Sequence, residues 1–213
     1  MPEPPDVSLP PPRRGRRPQT EGPALDRSRL VATLKDMARS GGIDALNIRP
    51  VARQLGVSPR LIYHYVRNKD EMLALLTDEI LASRMPDLSA ASWQERLRRI
   101  ADAVQLAYRE FPGSAAFILS RSANQLALPR ATKIRTAIFD AFREAGLSAR
   151  EGEEMLVIFS VVILGNVVVA ESLDKNTERL AMQRDVVEAA FGRSADMLLD
   201  TICSTAAKRQ RSG

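Results

Sequence analysis

The chain has 213 residues, a formal net charge of +5, one cysteine and one histidine. That length supports one large domain or two small ones with a real core, and the basic excess favours a polyanionic partner, either DNA or an acidic membrane surface. Cys203 alone excludes an intramolecular disulfide or a cysteine zinc cluster and points to a reducing cytosol, and His64 alone excludes a Ser/His/Asp triad or histidine metal site elsewhere in the chain.

The N-terminus has no apolar signal core, so secretion is not expected. Residues 1–24 are proline-rich and carry Arg13, Arg14, Arg16 and Arg17. That composition buries no apolar surface and predicts a disordered basic arm. The run Arg14-Gly-Arg-Arg-Pro18 approximates the Arg-Gly-Arg-Pro core of minor-groove hooks, with one arginine too many. A minor-groove arm is one reading and a solubilising tail the other. Asp26 is placed to cap a first helix whose apolar stripe is Leu30, Val31, Leu34, Met37 and Ala38, and Gly41-Gly42 end it. The glycine pair has no preceding strand and no lysine at phosphate-loop spacing.

From Asn47 to Met72 the spacing predicts two short helices and a tight turn. Asn47 caps the first helix, Pro50 is tolerated in its first turn, and Ile48, Val51, Ala52 and Leu55 share one face. Gly56 stops it in a left-handed conformation, Ser58 caps the second helix, and Pro59 takes its first position. This is a helix-turn-helix, whose second helix suits the DNA major groove. It is predicted to expose Arg60, Tyr63, His64 and Tyr65, with Arg67 and Lys69 just beyond. The predicted DNA-binding set is Arg49, Ser58, Pro59, Arg60, Leu61, Tyr63, His64, Tyr65 and Lys69. Arg60 and Tyr63 are expected in the groove with His64 nearby, and Tyr65 and Lys69 on the flanking phosphates. Ser58 is expected to donate to a phosphate as well. Leu61 is ambiguous between core and a thymine methyl, and Ile62 reads as core.

The segment Leu55-Gly-Val-Ser58 through Tyr63-His-Tyr-Val-Arg-Asn-Lys69 resembles the tetracycline-repressor (TetR) family of bacterial regulators. Leu25-Asp-Arg-Ser-Arg-Leu30 and Gly42-Ile-Asp-Ala-Leu46 are similar to that family's first helix and following loop. Phe191 to Asp200 resembles a late-helix pattern in part of the family. The resemblance is specific over about residues 25–75. It implies a bacterial cytoplasmic, nucleoid-associated homodimer on double-stranded DNA that represses and is released by a small molecule.

Beyond Asp70 a fourth helix carries Met72, Leu73, Leu76 and Ile80, with Pro86 closing it, and links the two halves over about residues 70–85. Ser92-x-x-Glu95 is a capping box opening a helix with Trp93, Leu97, Ile100, Val104, Tyr108 and Phe111 at helical spacing. Residues 113–128 predict a short irregular helix, and Pro129 opens another that ends at Gly146. A second capping box, Ser148-x-x-Glu151, begins a helix through about Ser172. The centre of that helix, Met155 to Ala170, is apolar all round. As a membrane span it counts about 16 residues against the roughly 20 required, it contains Asn166, and acidic residues flank it. The favoured reading is a central helix covered by its own domain and by a second subunit. Residues 173–190 read as a polar loop, and Phe191 to about Lys208 as the last helix.

The expected fold is all-α: an arm at 1–24, a helix-turn-helix domain at 25–70 and a larger helical effector-binding and dimerisation domain at 71–208. Helices at about 150–171 and 193–208 are predicted to form a four-helix bundle with their symmetry mates. An apolar effector cavity is predicted with Tyr108, Phe117, Phe139, Phe142 and Phe159 as walls and Asn124, Gln125 and Asn166 as polar groups. The family's namesake holds a magnesium–tetracycline chelate partly through histidine. The effector domain here has no histidine, so the expected ligand is apolar and metal-free, with no cofactor. No catalytic constellation is present, so an enzyme is not expected, and Glu153 and Glu154 sit where a helix dipole favours acids. The alternatives are a ligand-independent nucleoid-type DNA-binding scaffold and an activator of the same architecture.

Overall fold

A computed structural model describes residues 25–89, 92–120, 128–174 and 181–212. The predicted arm at 1–24, and Asn124 and Gln125, lie outside the described residues. Every regular element described is helical: α1 (Arg27–Gly41), a 3₁₀ turn (Ile43–Ala45), α2 (Ile48–Leu55), α3 (Pro59–Ile62), α4 (Lys69–Ala82), α5 (Trp93–Arg109), α6 (Ser114–Ser120), α7 (Pro129–Glu144), α8 (Ala149–Asp174) and α9 (Ala181–Ser212).

The helix boundaries follow from local chemistry. Asp26 accepts the amide of Arg29 at 2.7 Å and starts α1, and Asn68 accepts that of Glu71 at 2.8 Å and starts α4. The box before α8 is complete: Ser148 N donates to Glu151 Oε2 at 2.7 Å, and Glu151 N donates to Ser148 Oγ at 3.4 Å. At α5 the Ser92 hydroxyl accepts the Glu95 amide at 3.2 Å, while the Glu95 carboxylate turns to Arg99.

Two boundaries differ from expectation. α4 ends at Ala82, short of Pro86. α9 begins at Ala181, ten residues before Phe191, so part of the predicted loop is helix. Residues 181–190 contain neither glycine nor proline. Helix therefore propagates outward from the packed half around Phe191, Leu198 and Ile202, and polar exposure marks a solvated helix face.

α1, α2 and α3 form the small N-terminal unit, α4 runs between it and the rest, and α5 to α9 form the larger layer, with α8 touching α5, α6, α7 and α9. One apolar cluster is continuous from Leu25 through Ile80 and Ile100 to Ala206. Polar contacts join the two parts at a second place. Ile43 N donates to Pro112 O at 2.9 Å, Arg39 pairs with Glu110 at 2.7 Å, and the Arg39 guanidinium lies 5.0 Å from the Phe111 ring centre. The next amide, Gly113 N, donates to Glu171 Oε2 near the end of α8 at 2.9 Å.

The third junction is ionic. Asp78 on α4 is buried, accepts Arg130 N at 2.8 Å and Ala131 N at 3.4 Å, and pairs with the Arg130 guanidinium at 2.8 Å. These are first-turn amides of α7, so α4 caps α7 across the fold. Glu79 then bridges Arg130 at 3.2 Å and Arg27 of α1 at 3.1 Å.

α8 has 26 residues, so length does not argue against a membrane span, and the earlier count of about 16 is corrected. By length and composition alone it qualifies, and it is packed against four helices of its own chain along one side. The other side carries the exposed Val157, Ile158, Val161 and Val169.

Candidate nucleic-acid interface and interior cavity

The helix-turn-helix is built by its turn. Gly56 has φ 70 and ψ 28, the left-handed region where glycine is unstrained. Gly56 N donates to Arg53 O at 3.1 Å and Val57 N to Ala52 O at 3.0 Å, the paired bonds of a Schellman motif. Arg29 braces the junction from α1, donating to Leu55 O at 3.0 Å. Ile62 and Val66 are buried and fix the rotation of the second helix.

That rotation presents the predicted face to solvent. Arg49, Ser58, Pro59, Arg60, Tyr63, His64 and Tyr65 are exposed, Tyr63 to 53%, and Leu61 and Lys69 are half-buried. Three details depart from the sequence reading. The regular helix is a single turn, Pro59–Ile62. Residues 63–65 continue with tighter three-residue bonds, His64 N to Leu61 O at 3.3 Å and Tyr65 N to Ile62 O at 2.9 Å. Ser58 occupies the cap position, but its side chain makes no capping bond. Its hydroxyl stays on the exposed face. The Tyr65 hydroxyl donates to Leu25 O, so Tyr65 ties the start of α1 to the end of the recognition segment.

The electrostatics of this face are uneven. Among the described residues Arg49, Arg53, Arg60 and Lys69 have no salt-bridge partner, whereas Arg27, Arg39, Arg84, Arg96, Arg99 and Arg130 are all paired. Unpaired cations are the groups that displace counterions from phosphates. Arg67 also stands exposed there, paired with Glu71 at 2.7 Å. Arg53, outside the predicted set, lies one turn after Arg49 on the same outer face of α2. That four-residue spacing was the available signal.

The larger part holds a half-open cavity of about 420 Å³ between α4, α5, α6, α7 and α8. Of the eight predicted ligand residues, Tyr108 and Phe159 line it. Phe142 is fully buried core, set edge-on between Phe139 at 6.4 Å and Phe159 at 6.5 Å, and Phe139 packs beside Gly152. Phe117 is half-buried against the core, outside the cavity wall. Asn166 donates to Ser194 Oγ at 3.0 Å in the α8–α9 seam. The other walls are aliphatic, including Leu81, Ile100, Ile138 and Ile163, with Thr132, Arg135 and Ser160 as further polar groups. Burial, and secondarily the Asp78 charge, pushes the Tyr108 phenol well above its ordinary pKa, so it is a neutral donor. Val157 and Val161 both line the cavity and are 62% and 54% exposed, so it reaches the bare side of α8. Among the described residues no cluster of His, Cys, Asp or Glu is arranged to hold a metal.

Residues 30–76 match the family model of bacterial regulatory proteins, tetR family. An HTH-type transcriptional repressor of Mycobacterium tuberculosis is 28% identical over 159 residues, covering 72% of this chain and 60% of the relative. The match thus spans about three-fifths of that relative's length. HTH-type transcriptional repressor DrrR1 of Streptomyces coeruleorubidus is 26% identical over 195 residues, covering 90% of this chain and 69% of the relative. The crystal structure of Mycobacterium smegmatis BioQ superposes with a TM-score of 0.76 at 24% identity, covering 85% of this chain and 99% of that one. At that identity the likeness speaks for the fold, which is the all-helical one described. The likeness to the tetR family of bacterial regulatory proteins is thus carried by residues 30–76, which hold the helix-turn-helix.

Proposed function

We propose that this chain is a ligand-responsive transcriptional repressor, binding a palindromic operator as a homodimer and released by a predominantly apolar, metal-free small molecule. The observation that carries the reading is the exposed helix-turn-helix face, with Arg49, Arg53, Arg60 and Lys69 unpaired among the described residues beside Tyr63. The relatives named as repressors support the direction of regulation, and BioQ has been crystallised with its double-stranded DNA operator. Such a protein works in the bacterial cytoplasm, at the nucleoid.

The dimer reading rests on α8 and α9. Ile158, Val161 and Val169 leave one apolar stripe on α8 bare, and Val186 and Met197 do so on α9. Apolar side chains grouped this way seek a partner surface, and a second copy of the same two helices supplies one. Two recognition segments about one DNA turn apart, roughly 34–36 Å, then read the two halves of an inverted repeat. The cavity supports an effector: its volume is that of a small-molecule site, and its wall is mostly aliphatic.

Footprinting on the DNA flanking the gene tests the reading. Protection of an inverted repeat, with sedimentation showing a dimer at micromolar concentration, is expected. Equal affinity for all sequences, or a monomer at that concentration, refutes it in favour of a scaffold without operator or effector.

A further inference from the structure

Among the described residues, three hydroxyls of the cavity wall make no hydrogen bond within the chain, those of Tyr108, Thr132 and Ser160. Tyr108 is 3% exposed, lies in the wall, and its hydroxyl has no hydrogen-bond partner among the described residues. Thr132 and Ser160, also in the wall, sit within α7 and α8, where hydroxyls can turn to their own helix carbonyls. A phenol on a rigid ring cannot. Its hydrogen is left for whatever fills the cavity, either water or a ligand that brings an acceptor, and a ligand that displaces the water without one loses that bond.

The rest of the wall limits that occupant. Among the described residues it contains no carboxylate, so none of them neutralises a cation there. Arg135 is half-buried and already engaged within the chain. The Asp78 carboxylate, whose field reaches Tyr108, is occupied by the first-turn amides of α7 and by Arg130. A second negative charge beside Tyr108 would be repelled.

We infer that the effector is an uncharged, mainly apolar molecule bearing a carbonyl-type oxygen, and that Tyr108 selects it by donating its phenolic hydrogen to that oxygen. This rests on reading the cavity as the effector site. Tyr108 lines the aliphatic pocket and lies within the field of Asp78, the residue through which α4 caps α7. Occupancy is thereby sensed next to the helix that leads to the DNA-binding unit.

A matched set of tricyclic probes tests it: 9-fluorenone, fluorene, fluorene-9-carboxylate and N-methylacridinium, titrated calorimetrically into the full chain and into Tyr108→Phe. Fluorenone is expected to bind wild type about tenfold more tightly than fluorene, as one buried hydrogen bond implies. Tyr108→Phe should remove that difference, mainly by weakening fluorenone. Because the hydroxyl has no partner among the described residues, Tyr108→Phe should melt no lower than wild type. Ser160→Ala is expected to keep most of the discrimination. Equal binding of ketone and hydrocarbon, binding of neither, tighter binding of either ion, or discrimination surviving in Tyr108→Phe overturns the inference. Footprinting of the same two proteins without probe keeps the outcomes separate. Failure of the probe series with intact operator protection overturns only the ligand assignment.

Discussion

Replacing Asp78 with alanine isolates the cap that joins the linking helix to α7. The carboxylate is almost wholly buried, its side chain 4% accessible, and serves two first-turn amides and a guanidinium. Loss of a helix cap costs about 1 kcal/mol, and loss of hydrogen bonds to a charged group about 1.5–3 kcal/mol. The Arg130 side chain stays 34% accessible and is held also by Glu79, so the stranded cation recovers part of that through solvent. The expected loss is therefore roughly 2–4 kcal/mol, below the 3–5 typical when a fully buried pair is broken. For a chain of this size each kcal/mol lowers the melting temperature by roughly 2–4 °C. Asp78→Asn keeps one acceptor but turns a donor toward the guanidinium, so it should fall between alanine and wild type. Calorimetric and urea melts at one fixed protein concentration measure this, since the stability of the proposed dimer would depend on concentration. A loss below about 0.5 kcal/mol for Asp78→Ala, the range of an ordinary surface change, would refute the trans-cap argument. So would an asparagine variant less stable than the alanine one.

Lys69→Ala should weaken binding to all DNA sequences and reduce the salt slope by about one per subunit, whereas Arg60→Ala should relax base preference, as electrophoretic titrations at several salt concentrations will show. Gly113→Ala should destabilise more than Gly56→Ala. Both have positive φ, but an added methyl at Gly113 meets Ile43 Cγ1 at 3.1 Å and nothing lies within 4 Å at Gly56. Denaturant melts should give about 1 kcal/mol for Gly56 and more for Gly113. The Arg39 hydrogen bond, and then its charge, hold the Glu110 carboxyl below its ordinary value of 4.5. Its folded value is depressed, so its stabilisation is present above that pH and lost as pH falls through the folded value. Acid melts of wild type and Glu110→Gln should accordingly converge below pH 4.5.

The DNA-binding unit was legible because its signals are local. Asp26, Asn47 and Asn68 cap the helices that follow them, and Gly56 turns left-handed, as backbone sterics and short-range hydrogen bonding require. Even here, tertiary packing decided details. Ser58 holds the cap position without its bond, and the Tyr65 hydroxyl is spent on Leu25 O, a partner 40 residues away. In the larger part, periodicity identified helices but not which way each aromatic points. Tyr108, Phe142 and Phe159 have the same apolar spacing as core residues. Only the placement of α5, α7 and α8 sends Tyr108 and Phe159 to the cavity and Phe142 into the core beside Phe159. Asp78 gave no signal in its own helix, because the amides it caps begin 52 residues later. Sequence by itself determined what each segment can form, since caps, turns and periodicity act within a few residues. The cavity, the place of the Tyr108 hydroxyl in its wall and the α4–α7 cap were decided by tertiary structure, because each depends on groups that only packing brings within reach.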